Sequence, residues 1–268
     1  MRKGISLHIG LNRVDPKQYA GWSGDLAGCE FDANDMIALA RKQGFKPTAR
    51  LLTKEATSAA VVGTISEAAK RLVGGDIFFL SYSGHGGQVK DTNGDEADGY
   101  DETWVLYDRM LLDDELYALW TRFKKGVRIV VLSDSCHSGT VLRAAPPCID
   151  GRPAQRFMPQ EVGTRVYAAH KRLYDGLQRD TPPSEATSVN ASVLLISGCM
   201  DNQTSSDGDR NGLFTQTLKQ VWNGGTFKGT YRTFRNRIVA AMPDMQTPNY
   251  YLVGSANPSF EAEKPFSI

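Results

Sequence analysis

The sequence predicts an α/β fold built on a mostly parallel sheet, and three observations support that prediction. Apolar runs without polar alternation, the clearest at 127–132, are typical of strands that helices cover on both faces. Strand-like runs at 5–10 and 76–83 are separated by helical patterns at 30–41 and 57–72, an alternation that indicates parallel strands. A chain of 268 residues with 41% hydrophobic residues can bury one core and needs no second domain.

The first elements each have a distinct pattern. His8 lies in the strand at 5–10, where a packed residue is expected rather than a ligand. In the helix at 30–41 apolar residues recur at helical spacing, and Gly44 is expected to follow it as a C-terminal cap. A second strand is predicted at 45–52, and the helix at 57–72 carries one apolar stripe.

The chain after the strand at 76–83 is less regular. An acidic, turn-rich segment at 91–101 precedes a predicted β-ribbon at 102–107 and a helix at 113–123 that an aspartate is expected to N-cap. Residues 143–190 are rich in proline and basic side chains and predict a long exposed connection with one helical piece at 166–177. Regular structure is expected to resume with a strand at 191–197, helices at 212–222 and 231–242, and a last strand at 250–253.

Composition excludes several classes of protein. A net charge of +1 gives no electrostatic case for nucleic acid or a membrane surface as the main partner. No apolar stretch approaches the roughly 18 residues of a membrane span, and no signal-peptide pattern follows Met1, so we expect a cytoplasmic protein. The four cysteines form no CxxC pair, which argues against a zinc site and a disulfide framework and fits a reducing compartment.

Two apolar strands end in residues that can perform chemistry. Cys136 follows the run at 127–132 within DSCHSG, and His85 follows the run at 76–83 within GHGG. Ligands of open α/β sheets bind at the carboxyl ends of the strands, so neighbouring strands would bring the thiol and the imidazole together. A thiol beside an imidazole is an activated nucleophile with its base. A lone cysteine after a strand is usually structural, but the two motifs together favour catalysis.

The motif SYSGHGG followed by DSCHSGT resembles the metacaspases, which are caspase-like cysteine peptidases. The resemblance extends from about residue 4 to about residue 254, with ISGCMDNQTSSD and QTPNYYLVG as further matches, and leaves out only 143–190. It implies one caspase-like α/β/α peptidase domain in a compact form without a prodomain, and a monomer. In that domain, 1–142 would be the large-subunit-like portion and 191–268 the small-subunit-like portion.

The resemblance also implies a Cys-His dyad that hydrolyses peptide bonds. Cys136 would attack the carbonyl, His85 would protonate the leaving amine, and the amides of Cys136 and Gly86 would hold the oxyanion. His137 is an alternative base. Adjacent side chains on an extended backbone point to opposite faces, which favours His85.

Metacaspases cut after arginine or lysine, so the resemblance implies peptide or protein substrates with a basic residue at the cleaved position. The string GCEFDA resembles the family's GCxxDA motif and implies that Asp32 and Asp134 bind the basic side chain, with Cys29 and Ser83 completing the pocket wall. The alternative is structural: Asp32 would favour the helix dipole, and Asp134 would cap the end of its strand.

The connection at 143–190 carries basic residues that match this expected specificity. They predict that the protein cleaves itself there, after an arginine or lysine between Arg143 and Arg179.

Calcium is the one cofactor that the resemblance suggests. Acidic residues crowd 91–102 and would suit Ca²⁺. The ligand positions of metacaspases that have a calcium site fall on Asp101, Asp113 and Asp114, but the fourth falls on Arg143. An arginine cannot ligate a cation, so we expect weakened or absent calcium dependence, with Arg143 acting partly in place of the ion.

Two other classes compete with the peptidase. An α/β-hydrolase would need the motif G-x-[SC]-x-G, and the sequence has Asp134 and Ser138 where its glycines belong. The alternative to an enzyme is a catalytically silent scaffold or binding protein with a caspase fold. The presence of both Cys136 and His85 favours the enzyme.

Overall fold

The computed structural model describes residues 2–92, 99–135, 154–181, 188–199 and 205–268. The strands of these residues are β1 (Gly4–Gly10), β2 (Thr48–Leu52), β3 (Ile77–Ser83), β4 (Gly86–Lys90), β5 (Tyr100–Val105), β6 (Met110–Leu112), β7 (Arg128–Asp134), β8 (Ser192–Ser197) and β9 (Asn249–Gly254). The helices are α1 (Cys29–Lys42), α2 (Ser58–Arg71), α3 (Asp113–Trp120), α4 (Gln160–Ala169), α5 (Lys171–Asp180), α6 (Leu213–Trp222), α7 (Tyr231–Ala241) and α8 (Pro258–Ala262).

A six-stranded sheet with the order β2-β1-β3-β7-β8-β9 forms the centre of the molecule. Neighbouring strands are parallel except at the β9 edge, where β9 runs antiparallel to β8. Every residue of β1, β3 and β7 is buried. Burial from both sides explains why these strands lack polar alternation. The predicted α/β class with a mostly parallel sheet is confirmed.

Helices cover both faces of this sheet. On one face, Val61 and Ile65 of α2 pack with Leu80 in a cluster that also includes α3. On the other face, residues of α1, α6 and α7 pack against Phe79 and Val130. The molecule therefore has three layers, and the carboxyl ends of the parallel strands are left for loops.

Within the described part of the chain, no helix combines the length and the apolar character that a membrane span requires.

A second, antiparallel sheet was only partly predicted. Its order is β4-β5-β6, and it begins directly after the histidine motif. The ribbon predicted at 102–107 overlaps β5 only, and neither β4 (GGQVK) nor β6 was identified. Two of the five residues of β4 are glycines, so its sequence carries almost no strand signal.

The described part of 143–190 is not the exposed connection that the sequence predicted. It forms two helices, α4 and α5, rather than one helical piece at 166–177. Val162, Val166 and Tyr174 are buried in a cluster with Val89 and Met110 of the second sheet. These helices contain few apolar residues and many charged ones, so their composition did not indicate a helical hairpin that packs against the second sheet.

Two of the differences between predicted and observed elements have a clear physical basis. The second strand begins at Thr48 rather than residue 45, because Phe45 turns into the core and packs 5.7 Å from the ring of Phe79. The N-cap residue of α3 is Leu112 and not an aspartate. The Glu115 carboxylate accepts a hydrogen bond from the Leu112 amide at 3.1 Å. Gly44 does follow α1 with a φ of 90°, the left-handed conformation expected of a C-terminal cap.

Candidate active site

The two motif-bearing strands are neighbours, which is the condition for bringing the two motifs to one edge. β3 and β7 pair in parallel, and Ser83 lies opposite Asp134 at the carboxyl edge. His85 therefore lies at the same edge as Ser135, the residue before Cys136. Cys136, His137 and Arg143 lie outside the described residues.

His85 is held by a loop that precedes α1. It is 6% exposed, its Nε2 lies 3.0 Å from the carbonyl oxygen of Gly24, and the Trp22 ring packs 4.8 Å from its own. A carbonyl can only accept, so Nε2 carries the hydrogen and Nδ1 is left as the basic nitrogen. Nδ1 is buried and has no hydrogen-bond partner among the described residues. The atom that can take a proton therefore lies inside the site.

Burial keeps the His85 imidazole neutral. Removal from water lowers the pKa of His85 to about 4, although the carbonyl of Gly24 acts in the opposite direction. The backbone of Phe157 also raises it slightly. Near neutral pH the His85 ring is therefore unprotonated and is free to accept a proton.

A buried arginine occupies the pocket that the sequence assigned to a basic substrate side chain. Arg156, which precedes α4, is 0% exposed. Its Nη2 lies 2.7 Å from Asp32 Oδ2 and 2.9 Å from Asp207 Oδ1, and its Nη1 lies 2.8 Å from Asp134 Oδ2. Nη1 also donates to Ser83 Oγ at 2.9 Å. Asp32 and Asp134 thus bind one guanidinium from different sides.

Each carboxylate is also held by neutral donors from other elements. Asp32 accepts from the Asn211 amide group at 2.8 Å, and Asp134 accepts from the hydroxyl groups of Ser205 at 2.6 Å and Thr215 at 2.7 Å. Asp207 accepts from the backbone amides of Ala27 at 2.7 Å and Gly28 at 3.2 Å. These bonds do not involve Arg156, so they hold the three carboxylates in an orientation that suits a cation whether or not Arg156 is the cation.

The pocket has an excess of negative charge. Burial raises the pKa of Asp32 to about 6, although the Arg156 guanidinium beside it acts in the opposite direction. Three carboxylates face one guanidinium, so repulsion between Asp32 and Asp134 adds to the cost of burial. Burial alone would lower the pKa of Arg156, but the neighbouring negative charges raise it well above the usual range. Loss of the cation would leave buried charges uncompensated.

The pocket leaves no room for a side chain at Gly212. A Cβ on Gly212 would lie 2.5 Å from Cζ of Arg156, and a planar group fills that space instead. Cys29 is buried at the pocket wall, where removal from water raises the pKa of its thiol. A thiol in that state is structural and not a second nucleophile.

Four of the predicted pocket residues therefore come together: Asp32, Asp134, Cys29 and Ser83. Sequence reasoning did not identify Asp207, nor Arg156 as the occupant. It also did not identify Trp22 and Gly24, which hold the histidine. The string SSD at 205–207, within the stretch matched to the small-subunit portion, was the one signal for Asp207.

The predicted calcium ligands are in ordered elements. Asp101 in β5 and Asp114 in α3 are buried, and Asp113 is half-buried at the start of α3. Among the described residues, no three His, Cys, Asp or Glu side chains are placed to hold one metal ion. The calcium site stays a prediction.

Comparisons with known proteins identify the family of this chain. A family model described as caspase domain matches residues 14–264. Metacaspase-1 of Mycosarcoma maydis is 33% identical over 248 residues, and metacaspase-1A of Neurospora crassa is 39% identical over 239 residues. These matches cover 80% and 75% of this chain and 60% and 51% of the two relatives. The chain thus spans between half and three-fifths of the length of these curated relatives.

Two solved structures are also similar. A protein of Geobacter sulfurreducens is 50% identical, with a TM-score of 0.90, and the match covers 99% of this chain and 98% of that one. Caspase-1 of Spodoptera frugiperda is 11% identical, with a TM-score of 0.56 and coverage of 94% and 86%. The second likeness concerns the fold alone and shows that the sandwich described above is of the caspase type.

Proposed function

This chain belongs to the caspase-domain family, and on that premise we propose that it is a cysteine endopeptidase that cleaves peptide bonds after arginine or lysine. Cys136 is the nucleophile and His85 the base in this proposal. We also propose that it processes itself within 143–190.

The observation that carries the proposal is the buried guanidinium of Arg156 among Asp32, Asp134 and Asp207. The pocket lies at the sheet edge that also carries His85. An arginine side chain of a substrate would meet the same three carboxylates. An aspartate side chain would be repelled by all of them, which argues against cleavage after acidic residues.

The tautomer of His85 supports its role as the base. Because Nε2 donates to the Gly24 carbonyl, Nδ1 is the nitrogen that can take the Cys136 proton and pass it to the leaving amine. The Gly24 carbonyl would stabilise the imidazolium that forms in between. It therefore has the orienting role that a carboxylate has in other peptidases.

The pocket favours arginine over lysine. A guanidinium offers two terminal nitrogens, and in Arg156 these reach three carboxylates and the Ser83 hydroxyl at once. An ammonium is a single point charge and cannot reach all of these groups in one position. We expect arginine peptides to be cleaved with a kcat/KM about tenfold higher, which corresponds to roughly one charged hydrogen bond.

A panel of fluorogenic peptides with Arg, Lys or Asp at the cleaved position tests the proposal. The wild-type protein should cleave the arginine peptide fastest, and Cys136→Ala and His85→Ala should abolish cleavage while both variants remain folded by circular dichroism. Preference for the aspartate peptide would overturn the pocket assignment. An active-site thiol that alkylates normally without any turnover would favour the silent scaffold.

We further propose that calcium dependence is weakened in this protein, with Arg143 acting partly in the place of the ion. The support is its sequence position, since a guanidinium repels a cation and neutralises carboxylates. Peptide cleavage in excess chelator should retain most of the activity, and calorimetry with Ca²⁺ should show weak binding. Tight binding together with loss of activity in chelator would contradict this, and Arg143→Asp would then change little.

A further inference from the structure

Residues 154–158, termed here the cleft segment, connect 136–153 to α4 and contain the buried Arg156. We propose that this segment is bound as the protein's own substrate and that the bond between Arg156 and Phe157 is the one that it cuts. The proposal rests on the peptidase function above and fixes its self-processing site. Three sets of backbone contacts support it, and none of them involves the guanidinium.

The first set pairs the cleft segment with residues 205–207 as a short antiparallel ladder. The amide of Arg156 donates to the Ser205 carbonyl at 3.0 Å, and the amide of Asp207 donates to the Ala154 carbonyl at 2.8 Å. Gln155 lies opposite Ser206 between these bonds. Addition of an extended peptide to an exposed edge is a general way to bind a substrate in a fixed register.

The second set places the carbonyl of Arg156 against the predicted oxyanion site. The amide of Gly86 donates to that carbonyl oxygen at 3.0 Å. Gly86 follows His85 directly, and its amide is one of the two that the sequence assigned to the oxyanion. The carbonyl group that would be attacked therefore already lies against its donor.

The third set holds the chain beyond Phe157. The amide of Met158 donates to the Gly86 carbonyl at 2.8 Å, and Phe157 lies opposite Gly86. Met158 is 1% exposed and packs in the cluster with Val89 and Val105. The segment is fixed on both sides of one peptide bond, and that bond lies beside His85.

A purely structural arginine needs only its side-chain partners. Here the bond after Arg156 also lies at the histidine, its carbonyl oxygen faces a prospective oxyanion donor, and the main chain on each side is paired. Together, these are the features of a bound peptide whose scissile bond and carbonyl oxygen are already oriented for cleavage.

The reaction on this bond balances without any further reactant than water. His85 takes the Cys136 proton, and the sulfur attacks the carbonyl carbon of Arg156. The bond to the Phe157 nitrogen breaks, that nitrogen takes the proton from His85, and a thioester joins Cys136 to Arg156. Water then adds to the thioester and gives its proton to His85. His85 passes that proton to the leaving sulfur, and the new carboxylic acid gives its own proton to the Phe157 amine. The products are an Arg156 carboxylate, a Phe157 ammonium group and the restored thiol.

The same contacts make the uncut chain its own inhibitor. While Arg156 fills the carboxylate pocket, a peptide in solution cannot enter it. The affinity for an external substrate is reduced by the fraction of molecules whose cleft is open. Cleavage would remove the covalent link that holds Arg156 in the pocket.

Intact-protein mass spectrometry of the full chain tests the proposal. Wild type should give fragments 1–156 and 157–268, and Cys136→Ala should give none. Phe157→Pro should also stay uncut, because a proline ring carbon replaces the hydrogen of the leaving nitrogen and crowds the bond. Among the described residues, the Phe157 amide donates no backbone hydrogen bond, and Arg156 should keep its ion pairs in this variant. Arg156→Gln is the second variant should the proline variant not fold.

An external arginine peptide separates this inference from the proposed function. The uncut Phe157→Pro protein should cleave it about tenfold more slowly than processed wild type, as expected for a mostly filled cleft. Arg165→Ala, an exposed position on α4, is the matched control and should be processed normally. If wild type cleaves the peptide but is cut elsewhere or not at all, the inference is wrong and the peptidase function stands; a chain that is not cut at all also rules out self-processing. If it cleaves neither the peptide nor itself, both are wrong.

Discussion

Asp207 lies 2.9 Å from the Arg156 guanidinium and is itself oriented by the amides of Ala27 and Gly28. It links the loop before α1 to the segment before α6, so it both binds the cation and joins two walls of the pocket. Asp32 and Asp134 alone would leave one side of a guanidinium without a charged partner.

Asp207→Asn should therefore weaken cleavage after arginine. The variant keeps an oxygen for the loop amides but loses a buried charge, and we expect kcat/KM for an arginine peptide to fall about 100-fold, equivalent to roughly 2.7 kcal/mol. Asp209→Asn, an exposed position two residues away, is the matched control and should leave kcat/KM within about twofold. Equal losses in the two variants would mean that Asp207 does not contact the substrate.

His8 offers a separate test of burial at the scale of one side chain. It lies inside β1 with its Nδ1 2.8 Å from Ser81 Oγ, and the prediction of a packed residue is confirmed. Burial, with a smaller contribution from Arg41, lowers the pKa of His8 to about 3. In the unfolded chain His8 binds a proton near pH 6.5, whereas in the folded protein it stays neutral. The contribution of neutral His8 to the free energy of unfolding is therefore fully present above pH 6.5 and is lost as the pH falls towards the folded pKa.

His8→Gln should make the protein less sensitive to acid. Between pH 7 and pH 5, His8 should lower the free energy of unfolding by about 2 kcal/mol, and glutamine does not titrate. Urea unfolding at both values should show a smaller decrease in the variant, whatever its stability at pH 7. The same decrease in both proteins would contradict the assignment.

At the scale of elements, the prediction from sequence succeeded where one local pattern carried the information. The buried strands and the two strand-end motifs gave the sheet and the juxtaposition of His85 with the end of β7. Asp32 and Asp134 were identified because each lies in a motif. Asp207 and Gly24 could not be identified in the same way, because their roles depend on segments that are far apart in sequence.

The helical hairpin α4–α5 was predicted only in part, as one helical piece at 166–177, and for a different reason. Many of its residues are charged or polar, so its composition favoured an exposed connection, and its docking uses backbone groups of the second sheet. Gln178 of α5 donates to the Lys90 carbonyl at 2.8 Å and accepts from the Thr92 amide at 2.9 Å. The Tyr174 hydroxyl accepts from the Met110 amide at 3.2 Å. Since α4 follows the cleft segment directly, this docking holds the segment in place.

Loosening the hairpin should therefore open the cleft. In the uncut Phe157→Pro background, the double change Tyr174→Ala and Gln178→Ala should raise cleavage of an external arginine peptide by up to about tenfold, which is the rate of processed wild type and corresponds to about 1.4 kcal/mol of docking free energy. Leu173→Ala, an exposed position on α5, should not change the rate. A rise of the same size in the Leu173 variant would indicate a nonspecific effect on α5.

At the scale of the whole molecule, the proposed cut falls between two central strands. β7 precedes the cleft segment and β8 follows it, and the two pair in parallel from Arg128 opposite Ser192 to Ser133 opposite Ser197. Apolar residues from both sides of the cut share each face of the sheet. Neither fragment could keep its buried surface covered without the other.

The cut protein should consequently remain one particle. Size-exclusion chromatography with light scattering should give the same mass for processed wild type and for uncut Phe157→Pro, while a denaturing gel separates two bands only for wild type. Dissociation would expose the faces of β7 and β8 to water and break every hydrogen bond between them. A native peak at the mass of one fragment would show that the two halves do not depend on each other, contrary to the shared core.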